Sequence, residues 1–257
     1  MNNGEILSVE DLRLNGDSIK VFDSLLGKQF VIETDDVRAI RFATNQESES
    51  ALRRPEPTSD DWMVMLKDRS ILKVTPGKSF TSQLLNQRQF APEELMAIWS
   101  QRDQMRFPEN GDFENAQNVL VFPTCRWQTE IELNESGASW KPGKKVTQPV
   151  YSRLTREEAA GKKKNEKARE DVTPKFTKFQ FDKRTESQMP TIWFAKPQLF
   201  LDEQGYVTLK DGQRLVIGGE QGFSITELNQ NGVTVSDSKQ LSIEIPTEQI
   251  GSIRFPQ

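Results

Sequence analysis

The sequence contains no histidine and only one cysteine among its 257 residues. Without histidine the chain has no Ser–His or Cys–His nucleophile pair, lacks the commonest general base, and cannot form most zinc or non-haem iron sites. The single Cys125 excludes an internal disulfide and a cysteine-based zinc site. Enzymes that rely on carboxylates or lysine need no histidine, but no catalytic motif is recognisable. We therefore expect a non-enzymatic protein without catalytic residues, cofactor or metal ion.

Long apolar runs are also missing, and none approaches the roughly 20 residues of a membrane-spanning helix, so we expect no membrane span. The first residues show no basic stretch followed by an apolar one, so no secretory signal is visible. The net charge of −4 and the pI near 5.3 predict no attraction of the whole protein to nucleic acid or anionic lipid. We expect a soluble protein. Its compartment stays open: cytoplasmic, or periplasmic or secreted if a signal peptide has been removed.

One short phrase occurs three times, at residues 34–40, 92–98 and 247–253. Each copy has Thr or Pro, two acidic or amide residues, an aliphatic residue, any residue, Ala or Ser, and then Ile. Thr or Pro followed by acids is typical of the first turn of a helix, whose N-terminus favours negative charge. The alternation that follows predicts a strand. The phrase therefore predicts one helical turn followed by a closing strand.

The similarity extends upstream of this phrase. "SIKVFDS" (18–24) matches "GVTVSDS" (232–238), and "VMLKDRSILKV" (64–74) matches "VTLKDGQRLVI" (207–217). Lys-Asp-Gly between alternating apolar residues is a signal for a tight hairpin. Residues 205–255 therefore predict about five strands and the helical turn, within the size of one small barrel.

These last residues resemble Sm-like and other SH3-like small barrels. "LKDGQRLVIGG" (209–219) is similar to the first Sm motif, in which a strand, a tight turn and a glycine-bent strand open the barrel. We interpret "IGGEQG" (217–222) as that bend. Sm proteins close with an Arg-Gly motif that grips uridine-rich RNA, whereas this chain closes with "TEQIGSIRF" (247–255). The resemblance therefore implies the fold, with partial copies at 5–42 and 62–100, and carries over no RNA-binding residue.

The predicted fold is all-β, with two or three small SH3-like or Sm-like barrel units and a charged loop or short helix between them. The first unit lacks its leading hairpin strand; either another segment fills the gap or the chain begins late. The predicted organisation is a first, incomplete unit at 1–44, a second unit at 60–101, an additional unmatched β segment at 112–150, a charged linker or short helix at 151–173, and a C-terminal barrel unit at 174–257.

One segment combines aromatic and basic side chains, as surfaces that bind single-stranded nucleic acid do. In "PKFTKFQFDKR" (174–184) we favour a strand with buried phenylalanines and solvated lysines. The alternative is a nucleic-acid contact surface. Its candidate residues are Lys175, Phe176, Lys178, Phe179, Lys183 and Arg184.

Other chemistry-bearing residues have structural interpretations that we favour. The acid pairs Asp35–Asp36 and Glu93–Glu94 could form a carboxylate dyad or metal site, but their place before a helical turn predicts a capping role. Cys125 is expected to be buried in a strand. Among the five Trp residues, an exposed one could stack on a sugar or seat a partner.

The function favoured by this pattern is a non-catalytic protein–protein interaction or assembly module, because small barrels leave loops and sheet edges free for partners. Self-association through strand edges is a further possibility. Two alternatives stay open: a nucleic-acid-binding Sm-like protein that uses 174–184, and a carbohydrate-binding β protein.

Overall fold

The computed structural model describes residues 7, 9, 11–23, 26–42, 61–77, 79–103, 105–113, 117–123, 125–134, 136–141, 144–146, 178–181, 189–197, 204–218, 222–238 and 241–256. Across these residues the fold is all-β, as predicted: strands alternate with single-turn 3₁₀ helices, and no helix reaches seven residues. None of these helices has the length and apolar character needed to cross a bilayer. The predicted charged linker at 151–173 lies outside the described residues.

The N-terminal unit, residues 11–42, is a three-stranded meander followed by a helical turn and a short strand. Along β2 and β3, buried or half-buried residues alternate with exposed ones, so one face of each strand is turned inward. Its elements are β1 (Asp11–Asn15), β2 (Ser18–Asp23), β3 (Lys28–Glu33), the 3₁₀ helix Thr34–Asp36 and β4 (Ala39–Arg41).

The second unit, residues 62–100, begins and ends with strands that pair with each other. Its elements are β5 (Trp62–Leu66), β6 (Ile71–Val74), β7 (Phe80–Ser82), β8 (Arg88–Phe90), the 3₁₀ helix Pro92–Glu94 and β9 (Leu95–Ser100). β5 pairs with both β6 and β9, and β7 forms a hairpin with β8.

The third unit contains the segment that matched no repeat in the sequence. Its elements are the 3₁₀ helix Asn110–Phe113, β10 (Asn118–Val121), β11 (Arg126–Thr129), β12 (Ile131–Asn134), β13 (Gly137–Trp140), β14 (Lys144–Val146), β15 (Lys178–Gln180) and β16 (Thr191–Trp193). Its first strand β10 pairs with β11 and with the last strand β16, and β13 lies between β12 and β15. The boundary predicted at 174 therefore differs from the pairing, since β15 and β16 join strands of 118–140.

The C-terminal unit, residues 205–255, has the strand order that the sequence predicts. Its elements are β17 (Gly205–Leu209), β18 (Arg214–Ile217), β19 (Ser224–Asn229), β20 (Gly232–Ser236), β21 (Ser242–Pro246), the 3₁₀ helix Thr247–Gln249 and β22 (Ile250–Arg254). β17 pairs with β18 and β22, while β19, β20 and β21 form a meander. Gly218, at φ +85°, and its bond to the Phe223 carbonyl bend the chain from β18 towards β19.

All three predicted closing phrases are confirmed as a helical turn followed by a strand. The acid pairs lie in the first turn of their helices, where their charge complements the free N–H groups. The prediction of separate units, by contrast, misses how the sheets are shared. An 11-stranded sheet runs β14-β11-β10-β16-β9-β5-β6-β18-β17-β22-β4 through all four units, and none of the sheets closes on itself.

The N-terminal and C-terminal units also share a second sheet, in the order β21-β20-β19-β1-β2-β3. β1 pairs with β19, and β4 pairs with β22, so each end of the N-terminal unit is held by the C-terminal unit. Among the described residues, no strand takes the place of the leading hairpin strand that the sequence predicts to be missing from the first unit, since β4 ends the large sheet.

The central strands of the large sheet are buried on both faces. The main apolar cluster takes residues from all four units, including Val64 of β5. Met63 and Met65, which point to the opposite face of the same strand, belong to a second cluster with Trp99 and Trp193. The segment 105–113 packs Met105 and Phe113 against this second cluster. The β5 sequence and residues 95–99 of β9 are therefore continuously apolar rather than alternating.

Candidate functional site

The basic and aromatic segment predicted as a nucleic-acid candidate is only partly described. Lys175, Phe176, Lys183 and Arg184 lie outside the described residues. Lys178 is exposed, whereas Phe179 is 4% exposed and stacks on Trp62 with ring centroids 5.3 Å apart. A buried ring is not available to stack on a base, so in β15 the favoured interpretation holds: the phenylalanine is buried and the lysine is solvated.

Phe179 and Phe181 also explain what this segment does in the fold. The Phe181 ring packs edge-on against Trp62 at 5.0 Å and Phe80 at 5.9 Å. The Trp62 indole N–H donates to the Phe181 carbonyl at 3.3 Å. Trp62 and Phe80 belong to the second unit, so this aromatic cluster joins the second unit to the third.

All five tryptophans are buried, from 0% exposed for Trp193 to 8% for Trp127. The carbohydrate-binding alternative expects an exposed Trp beside acids, and no Trp side chain meets that condition. Cys125 is buried as predicted, and its sulfur accepts a bond from the Trp127 indole N–H at 3.3 Å.

A groove of about 330 Å³ lies where the second unit meets the C-terminal unit. It is near the lower end of the size range of small-ligand sites. Three carboxylates and two cations surround two phenylalanine rings. The lining residues are Leu66, Lys67, Asp68, Arg88, Phe90, Glu94, Phe223, Asp237 and Ser238. We call this the inter-unit groove.

Arg88, on β8, links the two sides of the inter-unit groove. Its Nη1 donates to Asp237 Oδ2 at 3.0 Å, and its Nη2 lies 3.9 Å from Glu94 Oε1. Its guanidinium also lies over the Phe90 ring, 4.9 Å from the centroid. Asp237 is itself fixed, because its Oδ1 accepts a bond from the Leu241 N–H at 2.9 Å. The cation is therefore held by both units and by an aromatic face.

Asp68 has no such ion pair at bonding distance among the described residues. Its Oδ1 accepts from the Ser70 N–H at 2.8 Å and its Oδ2 from the Ser70 hydroxyl at 3.1 Å. Burial raises the pKa of Asp68, and the Ser70 bonds and the Arg88 charge only partly oppose that rise. Ser70 also accepts a bond from the Val216 N–H, so this turn is anchored to the C-terminal unit.

A second cluster of charge, around Arg126 of β11, is structural. The buried Arg126 contacts Glu109 at 2.9 Å and Asp112 at 3.1 Å. Asp112 Oδ2 also accepts from the Glu109 N–H, and the Arg126 guanidinium lowers the pKa of Glu109. These contacts hold the segment 105–113 against the sheet. No group of three or more acidic or thiol side chains in the described part of the chain could hold a metal ion.

The residues of the inter-unit groove were not identified from the sequence. Lys67 and Asp68 belong to a predicted hairpin turn, but a turn signal does not indicate a binding site. Arg88 and Asp237 are far apart in sequence, and the pairing of β6 with β18 helps to bring their units together. A comparison of the chain with family models, curated proteins and solved structures gives no match.

Proposed function

We propose that this chain is a non-catalytic protein-interaction module built from SH3-like units, and that its inter-unit groove binds a segment of a partner protein. The observation that carries the proposal is the groove itself, since residues of two units line it. The recurring pairing of the first strand of a unit with its last strand supports the SH3-like interpretation.

The chemistry of the groove favours a partner segment with a basic side chain beside an apolar one. Carboxylates outnumber cations in the lining, and Arg88 already uses Asp237. Among the described residues Asp68 is left as a partly desolvated acid without a close counter-ion, and a cation beside it would restore a favourable charge pair. Phe90 and Phe223 offer apolar surface to the neighbouring side chain.

The direct test is a peptide library screened against the whole chain, with basic–apolar peptides compared to acidic–apolar and neutral ones. Ser238→Arg adds a positive side chain at an exposed position in the groove lining, whereas Ser224→Arg adds the same charge at an exposed position outside it. We expect Ser238→Arg to weaken binding of basic–apolar peptides about tenfold or more, and Ser224→Arg to leave it unchanged. Equal binding by both variants would contradict the proposal.

The raised pKa of Asp68 gives this test a pH dependence. A raised acid pKa means that the folded state holds the proton more tightly than the unfolded chain. Asp68 therefore favours folding at low pH, and that contribution is lost as the pH rises through the raised pKa. A bound cation prefers the ionised carboxylate, so peptide affinity should increase as the pH rises through the same range. Asp68→Asn should remove this dependence, as titrated by calorimetry.

The nucleic-acid alternative has its own test, although Phe179 is buried. Reversing the charge of Lys175, Lys178 and Lys183 together should abolish any binding of single-stranded oligonucleotides that depends on this segment. Such binding should also weaken steeply with added salt. Under our proposal, the triple variant keeps its affinity for basic–apolar peptides.

A further inference from the structure

The N-terminal and C-terminal units are related by an approximate two-fold axis. β4 pairs with β22 so that Ile40 lies opposite Ile253. The closing phrases at 34–40 and 247–253 make these two residues equivalent in sequence. In an antiparallel pair, equivalent residues face each other only where a two-fold axis passes between them.

The second contact between these units agrees with the same axis. Arg13 of β1 pairs with Asn229 of β19, which sets Leu14 opposite Leu228 in the antiparallel register. The match of 18–24 with 232–238 makes Leu14 and Leu228 equivalent as well. Both strand contacts thus join equivalent residues of the N-terminal and C-terminal units, as a single two-fold axis requires.

The symmetry is broken at one place. β22 has two neighbours, β17 on one side and β4 on the other, whereas β4 ends the 11-stranded sheet of the described residues. Among the residues that the structure describes, the hairpin formed by β17 and β18 has no counterpart in the N-terminal unit. By the two-fold relation, the outer edge of β4 is equivalent to the edge of β22 that pairs with β17.

Apolar residues beside this edge are less covered than their equivalents. Ile253 and Phe255 are 0% and 6% exposed, whereas Ile40 and Phe42 are only half-buried. The same difference separates Ile245, fully buried, from Ile32. The N-terminal unit thus has the inward-facing side chains of the C-terminal unit, but within the described part of the chain it has no hairpin equivalent to β17 and β18.

The backbone of β4 is also arranged to accept a strand. The Phe255 N–H donates to the Arg38 carbonyl at 3.4 Å. In an antiparallel ladder, successive residues point their N–H and C=O groups to alternate sides. Arg38 and Ile40 therefore face β22, while Ala39 and Arg41 direct their N–H and C=O groups to the outer edge.

We propose that the outer edge of β4 is a docking site for a β-hairpin of a partner protein, which adds to the sheet as β17 adds to β22. In the C-terminal unit, Val207 lies opposite Ile253, and Tyr206 lies opposite Arg254 with its ring 5.8 Å from the guanidinium. The incoming strand accordingly carries an aliphatic residue opposite Ile40 and an aromatic residue opposite Arg41.

A second copy of this chain does not supply that hairpin. Within each copy, β17 already pairs with β22, and β18 with β6. The site is separate from the inter-unit groove, which is lined by residues of the second and C-terminal units. It therefore adds a second mode of protein binding, by main-chain pairing.

The experiment uses the full chain and a labelled synthetic peptide with the sequence of residues 204–218, the hairpin that fills the equivalent place. We expect saturable binding by fluorescence anisotropy, with amide shifts in the NMR spectrum at Ala39–Phe42. Arg41→Pro removes an outward N–H without removing a bond to β22, so it should fold normally and bind about tenfold more weakly or worse. Ala39→Pro should act in the same way.

Two controls isolate the main-chain pairing. Arg41→Ala keeps the N–H and should lose only a few-fold in affinity. A peptide with Asp in place of Val207 should bind no better than background, because a carboxylate would face the apolar side.

Absence of saturable binding, or unchanged binding by both proline variants, would overturn the proposal. A dimer of the chain that Arg41→Pro dissociates would also overturn it, because a second copy would then hold the edge. Ser238→Arg should leave hairpin binding intact, so the failure of either site can be recognised separately.

Discussion

The N-terminal and C-terminal units contain the same sequence pattern, yet the C-terminal copy is buried and the N-terminal copy is half-buried. Ile245 and Ile253 are both 0% exposed, while their equivalents Ile32 and Ile40 keep part of their surface in solvent. The elements are the same in both copies: a meander, one 3₁₀ turn and a closing strand. The pattern therefore determines the local elements, whereas the neighbouring strands determine burial.

The outer faces of the two units also differ, because some positions that are polar in the C-terminal unit are apolar and exposed in the N-terminal unit. Val31 of β3 is 60% exposed and Phe22 of β2 is 39% exposed. The equivalent residues in the C-terminal unit are Glu244 and Ser236, which are polar. The N-terminal unit thus has two exposed apolar residues at positions where its counterpart is polar, and it is less covered on the face where its counterpart is buried. If the hairpin proposed above binds at β4, it would lie beside this less covered side of the N-terminal unit.

The two units should differ most in the free energy of unfolding that is lost when proline replaces the equivalent residues 39 and 252. Ser252 directs its N–H towards β17, so Ser252→Pro breaks the ladder inside the sheet and should cost on the order of 3 kcal/mol. At position 39 the N–H points to an outer edge where the described residues place no strand, so Ala39→Pro should cost about 1 kcal/mol or less. Urea unfolding of both variants gives the comparison. Similar losses would mean that the edge of β4 is already paired.

The next largest difference in stability is expected when an equivalent isoleucine is truncated to alanine in the core of each unit. Ile245→Ala should lower the free energy of unfolding by about 3 kcal/mol, because the side chain is fully buried and leaves a cavity. Ile32→Ala should lower it by about 1 kcal/mol, since the half-buried side chain loses less contact. Equal values from chemical denaturation would show that partial exposure does not weaken the N-terminal core. A bound hairpin should increase the loss for Ile32→Ala alone.

The sequence predicted the elements of these two units because their signals are local. The helical turns of both units, and the Lys210-Asp211 hairpin and the bend at Gly218 in the C-terminal unit, each depend on a few adjacent residues. The third unit was not recognised, because its strands β13 and β15 pair across residues 141–177, which separate them in the chain. Local alternation does not encode a partner at that distance. The sharing of two sheets between chain ends was missed for the same reason.

The candidate sites were predicted less well than the fold. In the segment 174–184 the sequence predicted both the strand and the buried phenylalanine, which the structure places at Phe179. The inter-unit groove is lined by four separate stretches of the chain, none of which carries a motif that indicates a binding site. A site assembled from side chains of two units becomes visible only once their pairing is known.

A smaller difference in stability is expected for substitutions at residues 18 and 232, which begin the equivalent strands β2 and β20. A Cβ at Gly232 would lie 2.3 Å from the Ile245 carbonyl oxygen, a backbone atom that cannot move away easily. Gly232→Ser should therefore cost about 2 kcal/mol through strain in the β20–β21 pair. The reverse change, Ser18→Gly, should cost about 0.5–1 kcal/mol from backbone entropy alone. Thermal unfolding of both variants compares them. A tolerated Ser at 232 would show that β20 and β21 approach no closer than β2 and β3.

The smallest expected difference in stability is for substitutions in the turns that precede β2 and β20. Gly16 has φ +62°, whereas the equivalent Gln230 does not adopt a positive φ. No atom lies within 4 Å of a Cβ built on Gly16, so Gly16→Ala introduces backbone strain without a clash. It should cost about 1 kcal/mol, while Gln230→Ala should stay within about 0.5 kcal/mol. Gly16→Asn is the matched control, because asparagine tolerates the left-handed region, and its cost should fall between the two. If Gly16→Asn and Gly16→Ala cost the same in chemical denaturation, the strain at this turn does not arise from φ.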